Sequence, residues 1–401
     1  MDFVIIANAW SAGRDNPTSK HQIAAELAGQ GHRVLWVEGA GMRRPALGSG
    51  TDRGRILRRI QAFLKGAVPA EHSDIRVLSP LLIPVPKLKW VRVFNGWLFA
   101  AAACRWCRRL GFNNPILINY VPVLAEAMRF WPRRLMSPLS EHRTAKTERP
   151  LVVYHCVDRW DKFEMYASRM MKRVDADCCR YADLVVASSR GLYEHCSGMH
   201  DRVRLVTHGV NRDHFRAALT GPQRPEDLPA GAIAGFFGLV SEWVDQKLLV
   251  NLAREIPDLQ IVLIGKADVP IEVLEHERNI HLLGPRPFAD LPSYLAHFNV
   301  GLIPFSVTEL TRAVNPIKLR EMLAAGCPVV STELPEVAVF TRPESRAVTV
   351  AGDTKAFVAA VRSLIERPLT VDEKQAISES MRNETWTAKV REIVEFVLSE
   401  T

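Results

Sequence analysis

Three features of the sequence predict an α/β protein built of two parallel-sheet domains. Two successive arrays alternate strand and helix segments. A Gly/Pro-rich polar stretch separates them. The 401 residues exceed what one ordinary core accommodates. The apolar runs are short and bounded by turn residues, the pattern of strands buried on both faces.

In the first array, FVIIAN reads as a strand, SKHQIAAELAGQG as a helix and HRVLWVE as a strand. PILINY, PLVVYHCV and ADLVVASS follow as strands, before VRLVTHGVNRDHF. LTGPQRPEDLPAG, Leu219 to Gly231, is the expected linker. The second array restarts with AIAGFFG as a strand, DQKLLVNLAREI as a helix, LQIVLIG and IHLLG as strands, FADLPSYLAHF as a helix and NVGLIPF as a strand. The expected boundaries are therefore 1–218, a 219–231 linker, 232–383 and a C-terminal helix over 384–401. Two Rossmann-like domains of this kind are expected to face a cleft, with ligands beyond the carboxyl ends of the strands.

Composition narrows the class. A chain 47% hydrophobic and 24% charged is globular. MDFVIIANAW reads as a strand and lacks the basic lead and cleavage site of a signal peptide. No apolar run approaches the ~20 residues that span a bilayer. Seven cysteines form no regular framework, and the Cys104/Cys107 pair has no second pair to complete a zinc site, so buried free thiols in a reducing compartment are expected. No P-loop, G-x-S-x-G, H-E-x-x-H or clustered G-x-G-x-x-G is present, and GAGMRRPALGSG reads as a loop.

Charge is unevenly spread. Residues 1–213 hold 33 Lys+Arg against 19 Asp+Glu, net +14, and the remainder 19 against 25, net −6. From Ile75 to Ala125 there is no acidic residue. KLKWVRVFNGWLFAAAACRWCRRLGF reads as a basic amphipathic helix pair with interleaved aromatics, which suits an anionic membrane surface; its alternative is packing on the N-terminal sheet with solvated arginines.

The most informative stretch is AVNPIKLREMLAAGCPVVSTELPE, Ala313 to Glu336. Asn315 is a good N-cap and Pro316 suits the first helical position. Ile317 to Ala325 forms a short helix closed by Gly326 and Pro328, and PVVST is a buried strand. Lys318 in the first turn opposes the helix dipole unless an anion is bound there. Glu321 lies one turn on, placed for a ribose diol; the plainer alternative is a surface ion pair. Gly238, Ser241 and Gly265-Lys266 also fall at strand ends.

Together, GFFGLVSEW, IVLIG, LLGPRP, LIPF and NPIKLREMLAAGCPVVST resemble GT-B glycosyltransferases, nearest to those of bacterial exopolysaccharide and teichuronic acid assembly and more distantly to the xanthan glucuronosyltransferase family. The resemblance implies a nucleotide-sugar donor, with Lys318 on the diphosphate, Glu321 on the ribose, and Asn315, Gly238, Ser241, Lys266 and Arg286 around them. It implies transfer without a metal or a cofactor. The E-x7-E pattern of retaining family-4 enzymes is incomplete: its first position falls at Ala313, with Glu309 out of register, which favours inversion. The acceptor base then belongs at a strand end of the N-terminal domain. Asp158 is the candidate, with helix capping as its alternative role. Asp161 and His155 stand behind it, and Lys20 and His21 are candidate acceptor contacts. In this fold the last helix crosses back to the first domain.

The expected function is transfer from a UDP-sugar to a lipid-linked glycan, at the cytoplasmic face of the inner membrane. The alternatives are a retaining transferase, a UDP-sugar epimerase of the same fold, and a nucleic-acid-binding protein suggested by the basic half. No nucleic-acid module is readable, so no nucleic-acid partner is expected.

Overall fold

The computed structural model describes residues 1–10, 16–39, 60–70, 74–135, 150–163 and 168–399. The GAGMRRPALGSG loop lies, apart from Gly39, outside them. The chain divides into two units, residues 1–207 with 390–401, and residues 208–389.

The first unit is an eight-stranded sheet: β1 (Asp2–Ala7), β2 (Arg33–Glu38), β3 (Val68–Pro69), β4 (Ile75–Leu78), β5 (Ile116–Asn119), β6 (Val152–Cys156), β7 (Leu184–Ala187) and β8 (Val203–Leu205). Their order is β3-β4-β2-β1-β5-β6-β7-β8, and only the β3–β4 pairing is antiparallel. β1, β5, β6 and β7 are buried throughout, which is why they read as continuous apolar runs. The short β3 and β4 leave no such run and escape sequence reading.

The basic segment is one helix, Lys89–Arg109, rather than the expected pair. Within it, Asn95 accepts from the Ile83 N–H at 2.9 Å and donates to the Ile83 C=O at 2.8 Å. Gly96 lets the helix lie against the helix Ala125–Leu135: a Cβ there would sit 2.5 Å from Glu126 Cβ. No helix among the described residues is long and apolar enough to cross a membrane. All seven cysteines are buried, and none forms a disulfide.

The second unit is a six-stranded parallel sheet: β9 (Ile233–Phe237), β10 (Gln260–Ile264), β11 (Ile280–Gly284), β12 (Val300–Ile303), β13 (Val329–Thr332) and β14 (Val348–Ala351). The order β11-β10-β9-β12-β13-β14 is that of a Rossmann sheet. The helix Gln246–Glu255 follows β9 and is capped by Asp245, which accepts from Leu248 N–H at 2.9 Å. Its Leu248, Leu249 and Leu252 are buried against the sheet, and each such side chain contributes about 1.5–3 kcal/mol. The expected linker lies within this unit, where Asp227 accepts from Arg286 and Tyr294. The final helix, Trp386–Leu398, passes from the second unit into the first, where the Arg204 guanidinium lies 4.8 Å from the Phe396 ring centroid.

Candidate active site

In a parallel sheet the free backbone groups and loops at the carboxyl edge converge where strand order reverses. In the second unit that point lies between β9 and β12. Gly238 directly follows β9, and Gly265 follows β10. Both have positive φ, 144° and 148°, and a Cβ on Gly265 would sit 1.8 Å from the Gly238 carbonyl oxygen. Only glycine fits Gly265, and the two turns nest against each other. A Cβ on Gly238 would sit 3.6 Å from Lys318 Cε, so the lysine stem passes directly beside this turn.

The helix carrying Lys318 runs Ile317–Ala324, with Gly326 just beyond its end at φ 73°, as its composition predicts. Its start differs from expectation. Pro316 occupies the cap position with ψ 110° and no side-chain cap bond. Asn315 is not the N-cap: its Oδ1 accepts from Arg320 Nη1 at 2.7 Å and its Nδ2 donates to Glu336 Oε2 at 2.8 Å. Two tertiary partners hold the amide away from the helix end.

Lys318 Nζ donates to Glu321 Oε2 at 2.9 Å and lies 4.8 Å from the Phe237 ring centroid. The pair is unequal: the Lys318 side chain is 32% exposed, the Glu321 side chain 8%. This is a half-buried cation at a helix N-terminus, braced by a nearly buried carboxylate. Such an end attracts a phosphate, and the carboxylate accepts hydrogen bonds from hydroxyl groups.

The other expected donor contacts separate by exposure. Ser241 is buried in the turn beyond Gly238, its carbonyl accepting from Val244 N–H at 2.9 Å. Lys266 is exposed next to Gly265. The Arg286 guanidinium is engaged with Asp227 and with the Tyr294 hydroxyl, at 2.9 Å to the latter. Ala313 is buried, and Glu309 begins the separate short helix Glu309–Arg312.

In the first unit the reversal point lies between β1 and β5. Lys20, in the first turn of the helix Ser19–Gly29, is buried, its Nζ 5.4 Å from the Trp160 ring centroid and 5.9 Å from that of Tyr120. His155, on β6, is buried with Nδ1 3.0 Å from the Tyr120 hydroxyl. Its Nε2 has no hydrogen-bond partner among the described residues. Burial drives its pKa down to about 3, aided by the Lys20 charge, so it is neutral near neutrality and a weak base.

Asp158, two residues beyond β6, caps no helix; the following turn Trp160–Lys162 has Arg159 at its cap. Burial pushes the Asp158 carboxyl up to about 6, with the Lys20 charge opposing. Burial likewise lowers the Lys20 ammonium, with Asp158 opposing. A carboxylate with a pKa near 6 is suited to accept a proton near neutral pH.

Two expected acceptor residues have other contacts. His21 accepts from Thr18 N–H at 3.3 Å, closing the helix cap, and stacks on Trp36 at 4.7 Å between centroids; burial lowers its pKa to about 4. Asp161 pairs with Arg159 at 3.0 Å. The first unit therefore brings Lys20, His155 and Asp158 together, with Tyr120 and Trp160, which sequence reading missed. The Tyr120 signal was available: it is the last residue of the PILINY run, at the carboxyl end of that strand. Among the described residues no group of three or more His, Cys, Asp or Glu side chains converges to hold a metal ion.

Residues 233–367 match the model of the glycosyl transferases group 1 family, the segment that holds Gly238, Lys318 and Glu321. Over 262 residues the chain is 24% identical to a Bacillus subtilis (strain 168) protein named for a glycosyltransferase role in teichuronic acid biosynthesis. That match spans 61% of this chain and 66% of the relative, just under two thirds of its length. Among solved structures, sucrose-phosphate synthase from Thermosynechococcus elongatus superposes with a TM-score of 0.70 at 14% identity, covering 100% of this chain and 98% of that one. Anabaena HepE, solved in complex with UDP-glucose, superposes at 0.67 with 13% identity and 100% coverage of both chains. At such identity the superpositions establish the fold.

Proposed function

We propose that this GT-B glycosyltransferase, whose residues 233–367 form a group 1 glycosyltransferase domain, transfers a sugar from a UDP-sugar to a lipid-linked glycan of surface polysaccharide assembly. The observation that carries the reading is the Lys318–Glu321 pair at an uncapped helix N-terminus beside Gly238, inside the matched segment. Anabaena HepE, of the same fold, is solved with UDP and with UDP-glucose, which favours uridine donors.

Lys318 and the first-turn N–H groups take the leaving diphosphate, and Glu321 takes the ribose hydroxyls. This positive end stabilises the developing charge without a divalent metal. On the first unit Asp158 removes the acceptor hydroxyl proton as the sugar arrives, and the product anomer is inverted. Lys20 offers a cation to an anionic acceptor, and the His155 Nε2 a polar contact.

The enzyme works on an anionic membrane surface. On the helix Lys89–Arg109, Trp90, Phe94 and Trp97 recur at i, i+4 and i+7 and are exposed, Trp90 by 64%. Lys87, Lys89, Arg105, Arg108 and Arg109 are exposed with them, and no acid lies between Ile75 and Ala125.

The test is thermal-shift binding of UDP, GDP, dTDP and CMP. UDP-sugar transfer to a polyprenyl-diphosphate-linked sugar in EDTA follows, with the product anomer read by NMR. Stabilisation by UDP and an inverted product are expected. A folded protein that no nucleotide stabilises overturns the reading. A retained anomer, or transfer abolished by EDTA and restored by Mg²⁺, removes the inverting or the metal-free step.

A further inference from the structure

The helix Ile317–Ala324 lacks the cap its sequence supplies. Among the described residues no acceptor takes the N–H groups of Ile317 or Lys318, and Leu319 N–H turns back to the Pro316 carbonyl at 3.2 Å. The residue able to cap is present one position earlier. Rotating Pro316 ψ from its 110° to a helical value of about −40° would extend the helix by one residue and make Asn315 its cap. Two residues oppose that change. Arg320 is 2% exposed and donates to Asn315 Oδ1, while its Nε donates to Glu384 Oε2 at 2.9 Å and its guanidinium stands 4.9 Å from the Phe340 ring centroid. Glu336, also buried, accepts from Asn315 Nδ2. The amide is thus held at both its oxygen and its nitrogen.

We infer that Arg320 and Glu336 are positioning residues for the donor. By holding Asn315 they keep it from capping the helix, and so leave the first-turn N–H groups open to the diphosphate. This rests on the donor reading above. A side-chain cap and a diphosphate want the same N–H groups, so the two compete. The arrangement explains why a cap residue stands next to the helix yet caps nothing: its local preference is overridden by a buried ion-paired guanidinium and a buried carboxylate.

The test measures the Kd of UDP by calorimetry on the wild-type chain and on Arg320→Met, Glu336→Ala and Asn315→Ala. It includes the doubles Arg320→Met/Asn315→Ala and Glu336→Ala/Asn315→Ala, with circular dichroism to verify folding. Arg320→Met and Glu336→Ala are expected to weaken UDP about five- to tenfold, the equilibrium worth of one N-cap bond. Asn315→Ala is the reference for both doubles, and each double is expected to bind UDP within about twofold of it, because alanine cannot cap. A purely structural role would give losses that persist in the doubles, and that result overturns the inference. So does unchanged affinity in both singles. If Arg320→Met does not fold, Glu336→Ala and its double carry the same comparison. A folded wild type that binds no UDP overturns the donor reading and this inference together, whereas wild-type binding with unaffected variants overturns the inference alone.

Discussion

Replacing Lys318 by methionine separates a nucleotide site from an ordinary helix-surface pair. Methionine keeps the stem beside the Gly238 turn and removes only the ammonium, which stands 2.9 Å from Glu321 Oε2. As a surface pair at i,i+3, the interaction contributes about 0.2–0.5 kcal/mol to folding. The melting temperature of the free protein should then move by no more than about 1–2 °C. As a diphosphate ligand, the ammonium supplies a charge-assisted hydrogen bond worth about 1.5–3 kcal/mol. At about 1.4 kcal/mol per decade, the Kd of UDP should rise roughly 10- to 150-fold. The nearly buried Glu321 carboxylate, left without its cation, adds repulsion toward the diphosphate. Lys318→Met/Glu321→Gln should therefore bind UDP more tightly than Lys318→Met alone, though less tightly than wild type. Calorimetric titration with UDP reads all three proteins. An unchanged Kd in a folded Lys318→Met protein refutes the reasoning, because the lysine would then be only the surface half of an ion pair.

Three further outcomes are expected. Gly265→Ala places a Cβ 1.8 Å from the Gly238 carbonyl, where real contacts under 3.0 Å essentially never occur, at a φ of 148°; a loss of about 3 kcal/mol or more is expected in chemical denaturation, and a loss under about 1 kcal/mol would contradict the nested-turn geometry. Transfer should fall as pH drops through about 6, because a base must be unprotonated and burial places the Asp158 carboxyl there. Asp158→Asn should abolish that limb with transfer while keeping UDP affinity, and full activity in Asp158→Asn would exclude the residue as base. Trp90→Ser/Phe94→Ser/Trp97→Ser should lose cosedimentation with phosphatidylglycerol vesicles at low salt, while wild type binds them and ignores phosphatidylcholine. Equal binding of the two proteins would rule out this helix as the docking face.

The sequence by itself determined the fold class and the strands that are buried throughout. Strands such as Val152–Cys156 and Ile233–Phe237 are buried on both faces, so their composition follows from burial alone and is readable locally. The Lys318–Glu321 pair was equally legible, since residues three apart on a helix meet regardless of what surrounds the helix. Other features depended on partners remote in the chain. Asn315 has the local chemistry of a cap, yet Arg320 and Glu336 take its amide, and Glu336 is 21 residues away. The basic segment expected as a helix pair is one continuous helix, to which Ile83 and the helix Ala125–Leu135 supply contacts no local propensity encodes. The short β3 and β4 exist through pairing with each other and with β2. Lys20, His155 and Asp158 come from two distant segments, and only the parallel order of β1, β5 and β6 brings them together. Local preferences of about 1 kcal/mol decide an element where tertiary contacts are neutral; buried ion pairs and packed backbones outweigh them where they are not.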